Sequence, residues 1–235
     1  MLRIQSSWRV TIPALALLTG LAGRADAAPA CTGKPEIHDA QSPADVRAYF
    51  EAKKVKVVTF FGYSGLGYED EAAMLARVRT TLGSFEPKTT LVNVGATAEG
   101  IGAVYQVARD LGFSTTGIVS SEARREKVAL SPCVEVVFFV TDTTWGGYAD
   151  ATRQRLSPTS QAMVDNSDVL VAIGGGQVSR DELGAALARG RTIGRDVLFF
   201  PADMNHANAR ARAAKRGQPA PQSFGGEAAE LFVPR

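Results

Sequence analysis

The sequence predicts an α/β fold: a single, doubly wound, mostly parallel sheet of about six strands with helices on both faces. Three observations predict it. Short apolar and β-branched runs alternate with amphipathic stretches of helical length, the pattern of successive βαβ units. The strongest runs are apolar throughout, as strands covered on both faces are. Three of them, ending at Phe61, Val94 and Ile173, pass directly into glycine turns.

Residues 1–27 stand apart from that core. Arg3 and Arg9 precede an apolar segment at 10–22, and Ala25-Asp26-Ala27 is a small-x-small cleavage pattern. The apolar run is too short to span a bilayer, so it reads as a secretory signal. The chain is expected to be exported, periplasmic or secreted, with no membrane association once the signal is removed. Taking three arginines and Asp26 from 26 basic and 24 acidic residues leaves 23 of each. The basic character of the whole chain is therefore no argument for nucleic acid, and none is expected as a partner. Cys31 and Cys133 remain. An oxidising compartment allows a disulfide between them, and two separate thiols are the other reading.

Residues 28–54 are a lead-in followed by a first helix. The stretch 29–41 is polar and without period. Ser42-Pro43 then supplies an N-cap and a proline at the first helical position, opening a helix to about Ala52. The main domain is placed at 55–216. Its first strand, Lys56-Val-Val-Thr-Phe-Phe61, ends in Gly62-Tyr-Ser-Gly-Leu-Gly67, and a helix with acidic residues in its first turn follows at 69–82.

The second strand, 90–94, runs into Gly95-Ala-Thr-Ala-Glu-Gly-Ile-Gly102 and a helix stopped by Gly112. Strands follow at 114–119 and 134–140. Ser157-Pro158 opens a helix to about Asn166. The strand Val169-Leu-Val-Ala-Ile173 ends in three glycines, after which Ser179 is expected to cap a helix to about Gly190. A sixth strand at 196–200 and a helix at 205–215 complete the domain. Residues 217–235 are set apart as a C-terminal tail, of which 217–226 is expected to be loose.

In an open parallel sheet the carboxyl ends of the strands share one edge, where ligands bind at the topological switch point. Glycine turns there bring bare N–H groups and a helix dipole to a phosphate. The expected phosphate contacts are Gly62, Ser64, Gly95, Thr97, Gly100, Gly174, Gly175, Gly176 and Ser179. Asp203 and Asn205 share the edge, where Asn205 reads equally as a helix cap. Trp145 could stack on a base or plug a loop. Arg210, Arg212, Lys215 and Arg216 are most simply a solvated helix end. His38 and His206 are too few for a zinc site, and neither metal nor cofactor is expected.

The order of these motifs resembles the LOG family, the lysine decarboxylase-like phosphoribohydrolases, and the wider group of Rossmann-like nucleotide-ligand proteins. The resemblance runs over residues 55–203. It is carried by Val58-Thr-Phe-Phe-Gly-Tyr-Ser-Gly65, by Leu91-Val-Asn-Val-Gly-Ala-Thr-Ala-Glu-Gly-Ile-Gly-Ala103 and by Ala162-Met-Val-Asp-Asn-Ser-Asp-Val-Leu-Val-Ala-Ile-Gly-Gly-Gly176. The family's Pro-Gly-Gly-x-Gly-Thr-x-x-Glu falls on Gly174-Gly-Gly-Gln-Val-Ser-Arg-Asp-Glu182. Its proline is Gly174 here and its third glycine is Val178. Thr159 stands at its catalytic arginine, with Arg153 and Arg155 a few residues earlier.

The resemblance implies a small nucleotide-like ligand, a homodimer, and hydrolysis of an N-glycosidic bond with Glu182 as the catalytic carboxylate. Two readings of Glu182 stand side by side: that role, and the glutamate of a Ser179-x-x-Glu182 capping box. The alternative function is a binding or carrier module for a nucleotide-derived ligand, without turnover.

Overall fold

In a computed structural model, residues 31–222 and 224–232 are described; the segment expected to be a signal lies outside them. Seven strands form one sheet, each pair parallel: β1 (Glu36–Ala40), β2 (Lys56–Gly62), β3 (Thr90–Val94), β4 (Ser114–Ser120), β5 (Val136–Val140), β6 (Val169–Ile173) and β7 (Val197–Phe200). Their spatial order is β1-β5-β4-β3-β2-β6-β7. The chain steps outward from β2 through β3, β4 and β5, then returns to the other side of β2 with β6 and β7. The switch point lies between β2 and β6.

The seventh strand is β1, in the stretch expected to be an extended lead-in. Of Glu36-Ile-His-Asp-Ala40, Ala40 alone is buried. Such an edge strand has no apolar run to announce it, and it exists through its ladder to β5, from Glu36↔Val136 to Ala40↔Val140.

The helices are α1 (Pro43–Lys53), α2 (Glu71–Leu82), α3 (Val104–Asp110), the single turn α4 (Glu122–Arg125), α5 (Pro158–Asp165), α6 (Gln177–Ala188) and α7 (His206–Lys215). Strand side chains alternate between the two layers, as a pleated sheet requires. Val58, Phe60, Val92, Val94, Val171 and Ile173 join the core with residues of α2, α3 and α7. Val57, Phe61, Leu91, Leu170 and Ala172 join the opposite core with α1, α5 and α6.

Several local signals act as read. Asp70 caps α2, its side chain accepting from the Ala73 N–H, and Ser157 caps α5 with Pro158 behind it. Asn205 caps α7 through the Asn208 N–H at 2.9 Å. One expectation is corrected: Gly176, not Ser179, is the N-cap of α6, so Ser179 lies inside the first turn. Beyond the stretch expected to be loose, residues Glu227–Phe232 form a 3-10 helix packed against α6, and Phe232 stacks on Phe199 at 4.8 Å. Cys31 and Cys133 are joined in a disulfide.

Candidate functional site

A cavity of about 660 Å³ opens where β2, β3 and β4 end, beside the first two turns of α6. Its size suits a small ligand. A smaller cavity of about 360 Å³ adjoins the disulfide, next to the residues that lead into β5. A third, of about 470 Å³, lies between the turns after β2 and β3 and α7, lined by Gly65, Gly67, Gly100 and Arg212. Of these cavities, the largest joins those turns to Ser179 and Glu182 of α6.

Glu182 is the chemical centre of this cavity. It is 4% exposed, and its Oε1 accepts from the Ser160 hydroxyl at 2.6 Å. Ser160 in turn accepts from the Gly147 N–H at 2.7 Å. Burial raises the Glu182 carboxyl to about 8; the Ser160 bond opposes that shift and the neighbouring Asp181 charge adds to it. Glu182 is therefore a neutral acid at pH 7. The capping box does not form: the carboxyl serves Ser160 on α5 rather than the backbone of Ser179.

Of the expected phosphate contacts, Gly62, Ser64, Gly95, Thr97 and Ser179 line the cavity with Glu182. Gly62 also has a packing reason, since a Cβ there would lie 1.9 Å from the Tyr68 hydroxyl. That hydroxyl donates to Ile173 O at 2.9 Å and ties the end of β6 to the turn after β2. The Thr97 hydroxyl is engaged locally, accepting from the Glu99 N–H at 3.2 Å.

Gly100, Gly174, Gly175 and Gly176 lie off the lining. Gly100, at φ +59, lets the loop after β3 cross the loop after β2, where a Cβ would meet Tyr63 O and Ser64 O at 2.2 Å. Gly174 and Gly175 are buried. Tyr63 packs over them: its hydroxyl donates to Ala202 O at 3.0 Å and interacts with the Gly175 backbone. From the C-terminal segment Gly226 presses on Gly174, and the Glu227 N–H donates to Gly175 O at 2.9 Å. The turn is thus filled by the protein's own chain. Any side chain at 175 would meet Ser179 Oγ at 2.6 Å.

Thr159 lines the cavity, and its N–H donates to Asp142 Oδ2 at 2.9 Å. Burial alone would raise the Asp142 carboxyl, but the bonds from Thr159 and Thr144 outweigh it and hold it below the ordinary range. Arg153 does not reach the cavity. Its guanidinium meets the buried Asp181 at 2.5 Å and lies over the Tyr148 ring at 5.0 Å, clasping the loop after β5 to α6. That loop presents Trp145, 54% exposed, at the cavity wall.

The cations on the lining are Arg212 of α7 and Arg216, the residue that caps its C-terminal end. Sequence reasoning took them for a solvated helix end. Their i, i+4 spacing was the available signal, because it puts both on one side of the helix. Asp203 and Asn205 do not line the cavity; Asp203 O accepts from the Glu69 N–H at 3.0 Å. Among the described residues, no group of three His, Cys, Asp or Glu side chains is placed to hold a metal ion.

No family model and no curated protein matches the chain. Several solved structures are similar to it. One is TM1055, a structural-genomics target, 26% identical, with a TM-score of 0.41, over 59% of this chain and 73% of that one. Another is the molybdenum cofactor carrier protein of Chlamydomonas reinhardtii, 18% identical, with a TM-score of 0.44, over 62% of this chain and 76% of that one. A third is the molybdenum cofactor binding protein of the phototrophic bacterium Rippkaea orientalis, 16% identical, with a TM-score of 0.44, over 76% of this chain and 95% of that one.

Proposed function

We propose that this chain is an exported protein that binds a nucleotide or a nucleotide-derived phosphate ligand in the crevice at the carboxyl ends of β2, β3 and β4. The observation that carries the reading is the convergence of three features on one cavity: the turns after β2 and β3, the first turn of α6, and two arginines of α7. Concave sites at this edge are where open parallel sheets take their ligands.

Hydrolysis of an N-glycosidic bond is the second reading, and Glu182 favours it. A buried carboxyl that is protonated at pH 7 can give its proton to a departing base. As a carboxylate it can then take a proton from the attacking water. Ser160 orients that group without contributing charge.

The test is incubation with a panel of nucleoside 5′-monophosphates, reading free base by chromatography and ligand binding by melting temperature. Base release supports the hydrolase. A rise in melting temperature without release supports a carrier or binding module. Neither effect with any nucleotide sinks the reading, and molybdenum cofactor, as an additional arm, would then mark a different ligand class.

Export rests on the charged, apolar and small-residue order of residues 1–27. The disulfide, a bond that persists in oxidising compartments, supports it. Mass spectrometry of the protein from its source should find an N-terminus near Ala28. An intact Met1 in a soluble cytoplasmic pool would remove this part of the proposal.

A further inference from the structure

The cavity is chemically two-sided. Arg212 and Arg216 stand where the loops after β2 and β3 meet α7, and Arg212 Nη2 donates to Gly65 O. Trp145, Val178, Val128 and Leu130 supply apolar lining. Trp145, Val178 and Val128 are 54%, 37% and 44% exposed, so their apolar surfaces are open to a ligand in the cavity. The loop that carries Trp145 meets α6 directly: a Cβ on Gly146 would lie 3.0 Å from Val178 Cγ1.

Four charged residues line the cavity: Arg212, Arg216, Glu99 and Glu182. With Glu182 held neutral by burial, two cations face one carboxylate, and the lining favours an anion. At the turn after β6, Tyr63 and Gly226 pack against Gly174 and Gly175, and Val178 sets an apolar side chain on the first turn of α6.

From this we infer that the phosphate of a nucleoside monophosphate sits against Arg212 and Arg216, with the base lying on Trp145 and Val178. This rests on the nucleotide reading above and assigns the ligand's direction within it. Guanidinium groups grip phosphate through several N–H donors at once, and an indole face stacks on any base. Specificity would come from the phosphate end, since stacking alone discriminates weakly.

Trp145 makes the test direct. The chain has two tryptophans, Trp8 and Trp145, so a full-length Trp8→Phe protein has Trp145 as its only indole. Its fluorescence is titrated with AMP, with adenosine, and with the corresponding guanine, cytosine and uracil pairs. For at least one pair, the parent should quench with the nucleotide at a concentration about tenfold or more below that of its nucleoside, the scale of a charge-assisted contact. Arg212→Gln combined with Arg216→Gln should remove that preference and leave nucleoside binding unchanged. Glu99→Gln should tighten the nucleotide alone, which keeps the inference testable if the double variant loses its fold.

A nucleotide preference that survives loss of both arginines, or that ignores Glu99→Gln, overturns the assignment while leaving the nucleotide reading in place. No quench of the parent by any nucleotide or nucleoside overturns the inference; a rise in melting temperature with a nucleotide then leaves the nucleotide reading in place, and its absence removes both.

Discussion

The Ser160 hydroxyl lies 2.6 Å from Glu182 Oε1, so a residue in the first turn of α5 fixes the carboxyl that α6 brings to the cavity. The two residues are both buried, and 22 positions separate them. The Gly147 N–H completes the chain of bonds from the Trp145 loop to the acid. The Trp145 loop and the acid are therefore mechanically linked.

Glu182→Gln should flatten the pH dependence of stability. The folded carboxyl titrates at about 8 against an ordinary 4.5, so the folded state holds a proton that the unfolded chain has lost between those values. The sign follows: wild-type stability is full below about 4.5 and falls as pH rises towards 8. The amide keeps an acceptor for Ser160 and carries no proton to lose. Urea unfolding from pH 4 to pH 9 should show a slope for wild type and a smaller one for the variant. If the protein is a hydrolase, the same variant should bind nucleotide and release no base.

Ser160→Ala should leave the buried acid without its donor. The expected loss is roughly 1–3 kcal/mol of stability, the cost of an unsatisfied buried polar group. The carboxyl should also titrate higher, because the bond that opposes the burial shift is gone. Carboxyl titration followed by NMR would show this; an unchanged Glu182 midpoint would argue against the link.

Reducing the disulfide should destabilise the protein by about 2–5 kcal/mol, since Cys31 and Cys133 lie 102 residues apart and the closed loop is long. Guanidinium unfolding with and without reductant measures it. Without reductant, no thiol should label in the unfolded wild type, and one should label in Cys31→Ser or Cys133→Ser.

Gly226→Ala should loosen the C-terminal turn. The residue adopts φ +111, and a Cβ would lie 2.7 Å from the Gly174 backbone. A strain of roughly 1–3 kcal/mol is expected. Hydrogen exchange should rise first at Glu227, whose N–H binds Gly175 O. Protection there equal to wild type would show that the turn does not depend on this close approach.

Arg153→Gln should free the loop after β5 while the fold persists. Asp181 keeps Arg180 at 3.4 Å, so the loss should be nearer about 1 kcal/mol than the 3–5 of a fully broken buried pair. Faster exchange at Gly147, whose N–H holds Ser160, is the reading to look for.

The central strands were legible in the sequence because each needs an apolar run to be buried on two faces. Thr90-Leu-Val-Asn-Val94 and Val169-Leu-Val-Ala-Ile173 occupy the positions read from composition alone. The helix starts at Pro43 and Pro158 were legible for the same local reason, a cap followed by a proline. So was the edge of the sheet on which a site should lie. In each case the determining forces act within about ten residues.

Tertiary structure decided what local chemistry leaves open. β1 exists through its ladder to β5, a hundred residues onward, because its own side chains bury almost nothing. The Glu182 carboxyl is pushed up because α6, starting at Gln177, buries it against α5, where it accepts from Ser160; with Ser179 as the cap, the box would have claimed it. Tyr63 and Gly226 pack against Gly174 and Gly175, and Arg212 and Arg216, exposed at the end of the last helix, stand on the cavity wall. A sequence can show that a glycine leaves room. Which atoms fill that room is settled by chain segments that meet only when the sheet and its two helical layers close.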